Sequence, residues 1–327
     1  MASRVGGRLP APIAGLAANF ARVPSLRLIA GPVALVACAA SLAAAPAAGI
    51  AADWYVAVGD SYSRGSQPGR STGDQGFVYQ LPGMARARGY DLDVANFACG
   101  GATSASLLTK AGCDGRKTQV QGEQPYAGET QLDAAARFIA ANRGRIGLIT
   151  VSVGLNDLRP CLKAPELLDC TGEAATAMRA NVSEAARALR EAAGPNVPIV
   201  GVGYPNVYLG SWLRPGGGRG HERTREMQAA LRNQVNPALR TAYRAGQGSF
   251  ADATKASGGY GSLESRVPGP AGAVPAPVAS ICRLSWFCSE ADIHLNRAGY
   301  RLVARTVVAQ LPARRATSTV AQDHRSR

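Results

Sequence analysis

Apolar residues recur along this chain with two periods, and the alternation between them predicts the architecture. Short apolar runs closed by glycine or a polar turn read as buried strands over residues 54–58, 92–97, 146–153 and 198–203, with a weaker fifth at 250–252. The clearest is 146–153, where Ile146, Leu148, Ile149, Val151 and Val153 stand between Gly144 and Gly154. Between the strands the period lengthens to that of a helix. Met178, Val182, Ala185, Ala186 and Leu189 share one face, and Gly194-Pro195 stops that segment before the fourth strand. Similar patterns cover 131–142, 222–243 with Pro237 as a kink or break, and 297–311 after an Asn296 cap. Strands alternating with helices predict a parallel sheet covered on both faces, an α/β domain in three layers. In such sheets a site forms beyond the carboxyl ends of the strands, where the strand order switches. Residues 256–281, rich in Gly, Pro, Ala and Val, show no periodicity and are expected to be an irregular segment that walls the cleft or moves over it. Residues 214–220 are a second flexible candidate.

The first 52 residues stand apart. They contain no acid, carry Arg4, Arg8, Arg22 and Arg27, and run apolar from Leu28 to Ala52, the layout of a secretory signal peptide. Cleavage is expected near 47–51, leaving one domain over 53–312 and a disordered tail over 313–327. A lipid or helix anchor competes, because the run is long enough to span a bilayer and Leu35-Val36-Ala37-Cys38 fits a lipoprotein cleavage site. Against it, the residues after Cys38 stay apolar and alanine contributes little to membrane insertion. The net charge of +14 suggests a nucleic-acid partner until it is apportioned. Four positive charges belong to the leader and a net three to the tail, which leaves seven on the body, spread singly with no basic run among aromatics. That is a solvated basic surface, open to anionic lipid or acidic glycans, and it argues against nucleic acid.

Candidate chemistry lies in four short segments: Gly59-Asp60-Ser61-Tyr62-Ser63, Cys99-Gly100-Gly101-Ala102-Thr103, Gly154-Leu155-Asn156-Asp157 and Asp292-Ile293-His294. A serine hydroxyl needs a base to take its proton, and attack on a carbonyl creates an oxyanion that needs donors. In this order the segments resemble the blocks of the SGNH hydrolases, the GDSL esterase/lipase family, over residues 54–311. The resemblance implies a three-layer α/β/α sandwich with a parallel, flavodoxin-like central sheet. It implies Ser61 as nucleophile, His294 as base, and Gly101, Asn156 and the Ser61 amide as the oxyanion hole, with Gly100 as the alternative glycine. Two departures stand out: Ala291 occupies the place where the family carries its aspartate, and Leu295 replaces the proline usual after the histidine. Either Asp292, two residues before the base, or a backbone carbonyl would then orient His294.

Without Cys38, six cysteines remain, and they fall as near neighbours: Cys99 and Cys113, Cys161 and Cys170, Cys282 and Cys288. An even count in an exported chain suggests three disulfides, for which 15 connectivities exist. Secreted, actinobacterial-type members of the family resemble this chain in nearest-neighbour pairing. A zinc site is disfavoured, since no cysteine pair has CxxC spacing and the other histidines are only His221 and His324. No cofactor is expected. Trp212, Trp286, Phe287, Tyr208 and Tyr260 could line an acyl or glycan pocket, with core packing as the alternative. The expectation is therefore a secreted, monomeric serine esterase or lipase acting on small-molecule or lipid esters. The rivals are acyl transfer to a glycan or lipid alcohol and a non-catalytic glycan- or lipid-binding protein on the same scaffold.

Overall fold

The structure, a computed structural model, describes residues 52–69, 75–114, 120–214, 218–269 and 272–314. Residues 1–51 of the expected leader, Cys38, His324 and the tail from residue 315 lie outside the described residues, as do residues 215–217 of the second flexible candidate.

Each of the five expected strands forms, within one residue of its predicted limits. In chain order the elements are β1 (Asp53–Gly59), α1 (Ser61–Arg64), α2 (Phe77–Ala85), β2 (Leu92–Asn96), α3 (Ser104–Thr109), α4 (Gln131–Ala141), β3 (Ile146–Ser152), α5 (Leu167–Ala193) and β4 (Ile199–Val202). There follow α6 (Gly218–Ala230), α7 (Asn236–Ala245), β5 (Ser249–Ala251), α8 (Ala253–Ala256), β6 (Arg266–Gly269), β7 (Gly272–Pro275), α9 (Ala276–Leu284), α10 (Phe287–Glu290) and α11 (Arg297–Val308). The five long-sheet strands pair in parallel in the order β2-β1-β3-β4-β5. The chain first steps from β1 to β2, then returns past β1 to β3, so the order switches between β1 and β3. This is the flavodoxin-like arrangement.

Helices α4, α5 and α7 pack side by side as one layer, and α2 packs with α11 as the other. The sheet between them is apolar throughout: every residue of β3 is buried, and Tyr55, Val56, Ala57 and Val58 of β1 are wholly so. Burying each such Val, Leu or Ile contributes roughly 1.5–3 kcal/mol, which is why a run without alternation marks a central strand. Asn296 caps α11 through the Gly299 amide, as its position predicts. Pro237 does not break its helix. A single π turn over Leu231–Val235 precedes it, and Pro237 sits in the first turn of α7, where its missing N–H is no loss.

The segment expected to be irregular, 256–281, carries regular elements over its described residues, 256–269 and 272–281. Strands β6 and β7 pair as an antiparallel hairpin and lead directly into α9, whose Val278 and Ile281 are buried. Glycine and proline sit at the turn and at the helix start, where they mark boundaries, and they hid the short apolar period between them. Helix α2 was also unmarked, because Pro82 lies inside it. At the other end, Arg314 packs back onto the body: its guanidinium bonds Asp53 at 2.5 Å and lies 4.0 Å over the Tyr90 ring. No helix among the described residues is long and apolar enough to cross a membrane.

Three disulfides join Cys99 to Cys113, Cys161 to Cys170 and Cys282 to Cys288, the nearest-neighbour pattern. A cross-link across 14 residues restricts the unfolded chain by an amount equivalent to roughly 3 kcal/mol. Replacing both Cys99 and Cys113 with Ser is expected to lower the free energy of unfolding by about that much. Urea unfolding under non-reducing conditions checks it, and an unchanged midpoint would contradict it.

Candidate active site

Gly59 ends β1 with φ of 142°, and a Cβ there would stand 2.1 Å from the Ser152 carbonyl oxygen of β3, so only glycine fits. The Gln131 side chain holds this residue from the other side. Its oxygen accepts from the Gly59 amide at 2.8 Å and its nitrogen donates to the Gly59 carbonyl at 3.0 Å. The next amide, Asp60 N–H, donates to Ser152 O at 3.0 Å. Asp60 then caps α1 by accepting from the Tyr62 amide at 2.9 Å. Ser61 is the first residue of that helix, at the switch between β1 and β3, as its place after the strand predicts.

The His294 ring reaches it from 233 residues away. His294 Nε2 lies 2.9 Å from Ser61 Oγ, and His294 Nδ1 lies 2.7 Å from Asp292 Oδ1. The same carboxylate oxygen accepts from the His294 backbone amide at 2.8 Å. Of the two orienting groups left open by the sequence, the carboxylate of Asp292 is the one on the imidazole. Ala291, which stands where the family carries its aspartate, has φ of 53° and ends α10 in a left-handed turn. A non-glycine residue there carries about 1 kcal/mol or more of strain, and the chain reversal it makes presents Asp292 to the ring. The loop is held by several bonds. The Tyr62 hydroxyl donates to Ile293 O and the Trp286 amide donates to His294 O at 3.0 Å, while beyond the loop the Tyr300 hydroxyl of α11 donates to Ser66 O at 2.7 Å.

The oxyanion candidates occupy the turns after β2 and β3. Gly101 has φ of 81° in the turn closed by the Ala102 amide on Cys99 O at 3.1 Å, and a Cβ on it would meet nothing within 4 Å. Among the described residues the amides of Gly101 and Ser61 have no hydrogen-bond partner. Gly100 precedes Gly101 in the same turn. Asn156 opens a 3-10 turn directly after β3 and is buried. Its Nδ2 donates to Ala102 O at 2.9 Å and lies 3.5 Å from Asp60 Oδ2. The second contact is too long to hold its hydrogen firmly. Asp157 ties the two turns together, accepting from the Ser104 amide at 2.9 Å and from the Ser104 hydroxyl at 2.5 Å. Burial pushes the Asp157 carboxyl up, opposed by those Ser104 bonds.

Tyr204 was not foreseen. Its hydroxyl donates to Asp60 Oδ2 at 2.6 Å, from a loop after β4 that carries no motif. Asp60 is wholly buried, and burial raises its carboxyl to about 7 against the bonds from Tyr204 and the Tyr62 amide. Gln131 was read only as a helix start. Of the five aromatic candidates, Tyr208 and Phe287 line a cavity of about 410 Å³ that is walled by Ala291 and Ile293 of the histidine loop. A smaller cavity of about 140 Å³ lies beside Gly100 and Gly101. Trp212 is buried with His221 stacked on it at 3.7 Å, which gives that histidine a packing role away from Ser61.

A family model described as GDSL-like Lipase/Acylhydrolase matches residues 57–302. No curated protein matches the chain in sequence. Among solved structures, the chain is similar to the lipase Lip_vut3 from a goat rumen metagenome at 15% identity and a TM-score of 0.49, over 80% of this chain and 99% of that one. It is similar to phospholipase A1 from Streptomyces albidoflavus NA297 at 18% identity and a TM-score of 0.48, over 80% and 100% of the two chains. It is also similar to the extracellular lipase from Streptomyces rimosus at 19% identity and a TM-score of 0.48, again over 80% and 100%.

The raised Asp60 carboxyl makes stability depend on pH. The folded state keeps this proton up to about pH 7, while an unfolded aspartate releases it near pH 3.9, roughly. Within that window the folded state binds the extra proton, so stability falls as pH rises, by at most about 1.4 kcal/mol per pH unit. Asp60→Asn cannot ionise and lacks this share. Urea unfolding at pH 5 and pH 8 is expected to show a smaller drop in the variant than in the native protein; parallel profiles would contradict it.

Proposed function

The chain belongs to the GDSL-like lipase/acylhydrolase family and is an ester hydrolase, and from that premise we propose that it is an exported serine esterase working through an acyl-enzyme. The observation that carries this reading is the continuous run Asp292–His294–Ser61, with contacts of 2.7 and 2.9 Å. The second length allows the Ser61 proton to pass to His294 without rearrangement, while the first keeps the ring oriented.

In this mechanism His294 Nε2 takes the Ser61 proton as Oγ attacks the ester carbonyl. The oxyanion receives hydrogen bonds from the Ser61 and Gly101 amides, whose donors are uncommitted, and from Asn156 Nδ2 once its long contact to Asp60 yields. Asp292 holds the Nδ1 proton and stabilises the imidazolium. His294 then protonates the departing alkoxide, the alcohol leaves, and water repeats the sequence to free the acid. The three disulfides support export, because such bonds persist in oxidising compartments. The family's chemistry and this intact set of groups favour an enzyme over a binding protein on the same scaffold.

Chromogenic esters from acetyl to palmitoyl test the reading and rank acyl length. Ser61→Ala is expected to bring turnover to background and to abolish labelling by a fluorophosphonate. Asn156→Ala should lower kcat about 10²–10³-fold with a small change in KM, and Asp292→Ala by about 10²–10⁴-fold. Labelling that persists in Ser61→Ala would overturn the assignment.

A further inference from the structure

The larger cavity, about 410 Å³, abuts Ala291 and Ile293, the residues that flank Asp292 and lead into the base. Its floor is apolar, formed by Leu162, Leu167, Met227 and Phe287. Into it also comes Tyr208, a residue 5% exposed whose hydroxyl is buried and has no hydrogen-bond partner. A buried hydroxyl without a partner is destabilising by roughly 1–3 kcal/mol, so it marks a place where an acceptor is missing. Three arginines rim the same space: Arg214, Arg219 and Arg223.

Their commitments differ. Arg223 is engaged, bonding Glu226 at 3.2 Å and the Ala164 carbonyl at 2.8 Å. Arg214 and Arg219 are exposed and have no acidic partner among the described residues; Arg214 lies 4.9 Å over the Phe287 ring. Glu226 is taken by Arg223 and Asp292 by His294, and Glu222, exposed and three residues after Arg219 on α6, forms no ion pair with either arginine among the described residues. The Arg159 charge also acts on Tyr208, where it opposes the upward push of burial. The result is an apolar floor beneath a rim on which two arginines, Arg214 and Arg219, make no ion pair among the described residues, with one unused hydroxyl donor.

The side of the ester that belongs here follows from the proton's path. His294 must reach the leaving oxygen to protonate it, so the alcohol moiety lies toward the histidine loop. The carbonyl oxygen lies toward Gly101, where the smaller cavity opens. We propose that the larger cavity is the alcohol subsite and takes an alcohol bearing an anionic group, a phosphate above all, gripped by Arg214, Arg219 and the Tyr208 hydroxyl. This deepens the esterase reading and rests on it.

Two substrates that differ only in the anion test it: a 1-acylglycerol and the 1-acylglycerol 3-phosphate of the same acyl chain, both below their aggregation limits and at low salt. The phosphate form is expected to have kcat/KM about tenfold higher or more, mainly through KM, and added salt should shrink the advantage. In the double variant Arg214→Ala/Arg219→Ala the ratio should fall toward one, and Tyr208→Phe should lower it several-fold. A ratio near one in the native enzyme, or one unchanged by the double substitution in a protein of native circular dichroism, would overturn the subsite. Glycerol 3-phosphate inhibiting competitively at lower concentration than inorganic phosphate supports an alcohol-borne anion; equal inhibition by the two, or inhibition by inorganic phosphate alone, overturns it. Turnover of neither ester would defeat the enzyme reading separately. Calorimetry on Ser61→Ala then still decides the subsite: heat on adding glycerol 3-phosphate, lost when both arginines are removed, supports it, and no heat overturns it.

Discussion

At Gly59 the first strand runs so close to the third that a Cβ would stand 2.1 Å from the Ser152 carbonyl oxygen, and the placement of Ser61 follows from that contact. Because β1 and β3 end together there, the Asp60 amide can bond Ser152 O and the chain can turn at once into α1. The Gln131 side chain completes the constraint by pairing with both the amide and the carbonyl of Gly59, in the place a further strand residue would take. With strand, side-chain clamp and helix cap all acting within three residues, Ser61 has little freedom to move relative to the sheet. A site built this way is fixed before any substrate arrives, which is what proton transfer over a single hydrogen bond requires.

Asp60 shows the tension in that design. Its carboxyl joins two of the four segments and the loop after β4, capping Tyr62, facing Asn156 and accepting from Tyr204, yet it is wholly buried. Burial disfavours the charged form, and the bonds it accepts favour it. A carboxyl raised to about 7 is the balance of the two. An apolar residue would be easier to bury but could neither cap the helix nor hold Tyr204. Organisation of the site and stability at alkaline pH therefore pull in opposite directions at one residue.

The strands and the four segments were legible because each depends on local pattern: an unbroken apolar run such as 146–153, or a glycine beside a polar residue at its end. What was missed depends on contacts remote in sequence. Gln131 and Tyr204 act on residues 72 and 144 positions away, and nothing in their neighbours marks them. The orienting acid was ambiguous for a related reason. The contact of Asp292 with His294 follows a turn in which Ala291 adopts φ of 53°, a conformation that alanine rarely takes and that no propensity predicts. In 256–281, glycine and proline obscured a hairpin and a helix whose buried residues, Val274, Val278 and Ile281, are spaced for packing.

Three of the four segments hang from neighbouring strands, β2, β1 and β3, and inherit their positions from the sheet's register. The histidine segment hangs from none. It follows α10 behind a disulfide that closes six residues, and an isolated bridge from Ser285 to Leu295 ties its base. A side-chain bond ties it to α1, from the Tyr62 hydroxyl to Ile293 O, while Tyr300 of the following α11 donates to Ser66 O beyond α1. Any displacement of α1 is therefore transmitted to the loop as well as to Ser61. Ser61 and Tyr62 are neighbours in that helix, so the bond from Tyr62 to Ile293 O couples the position of the Ser61 hydroxyl to that of the His294 imidazole.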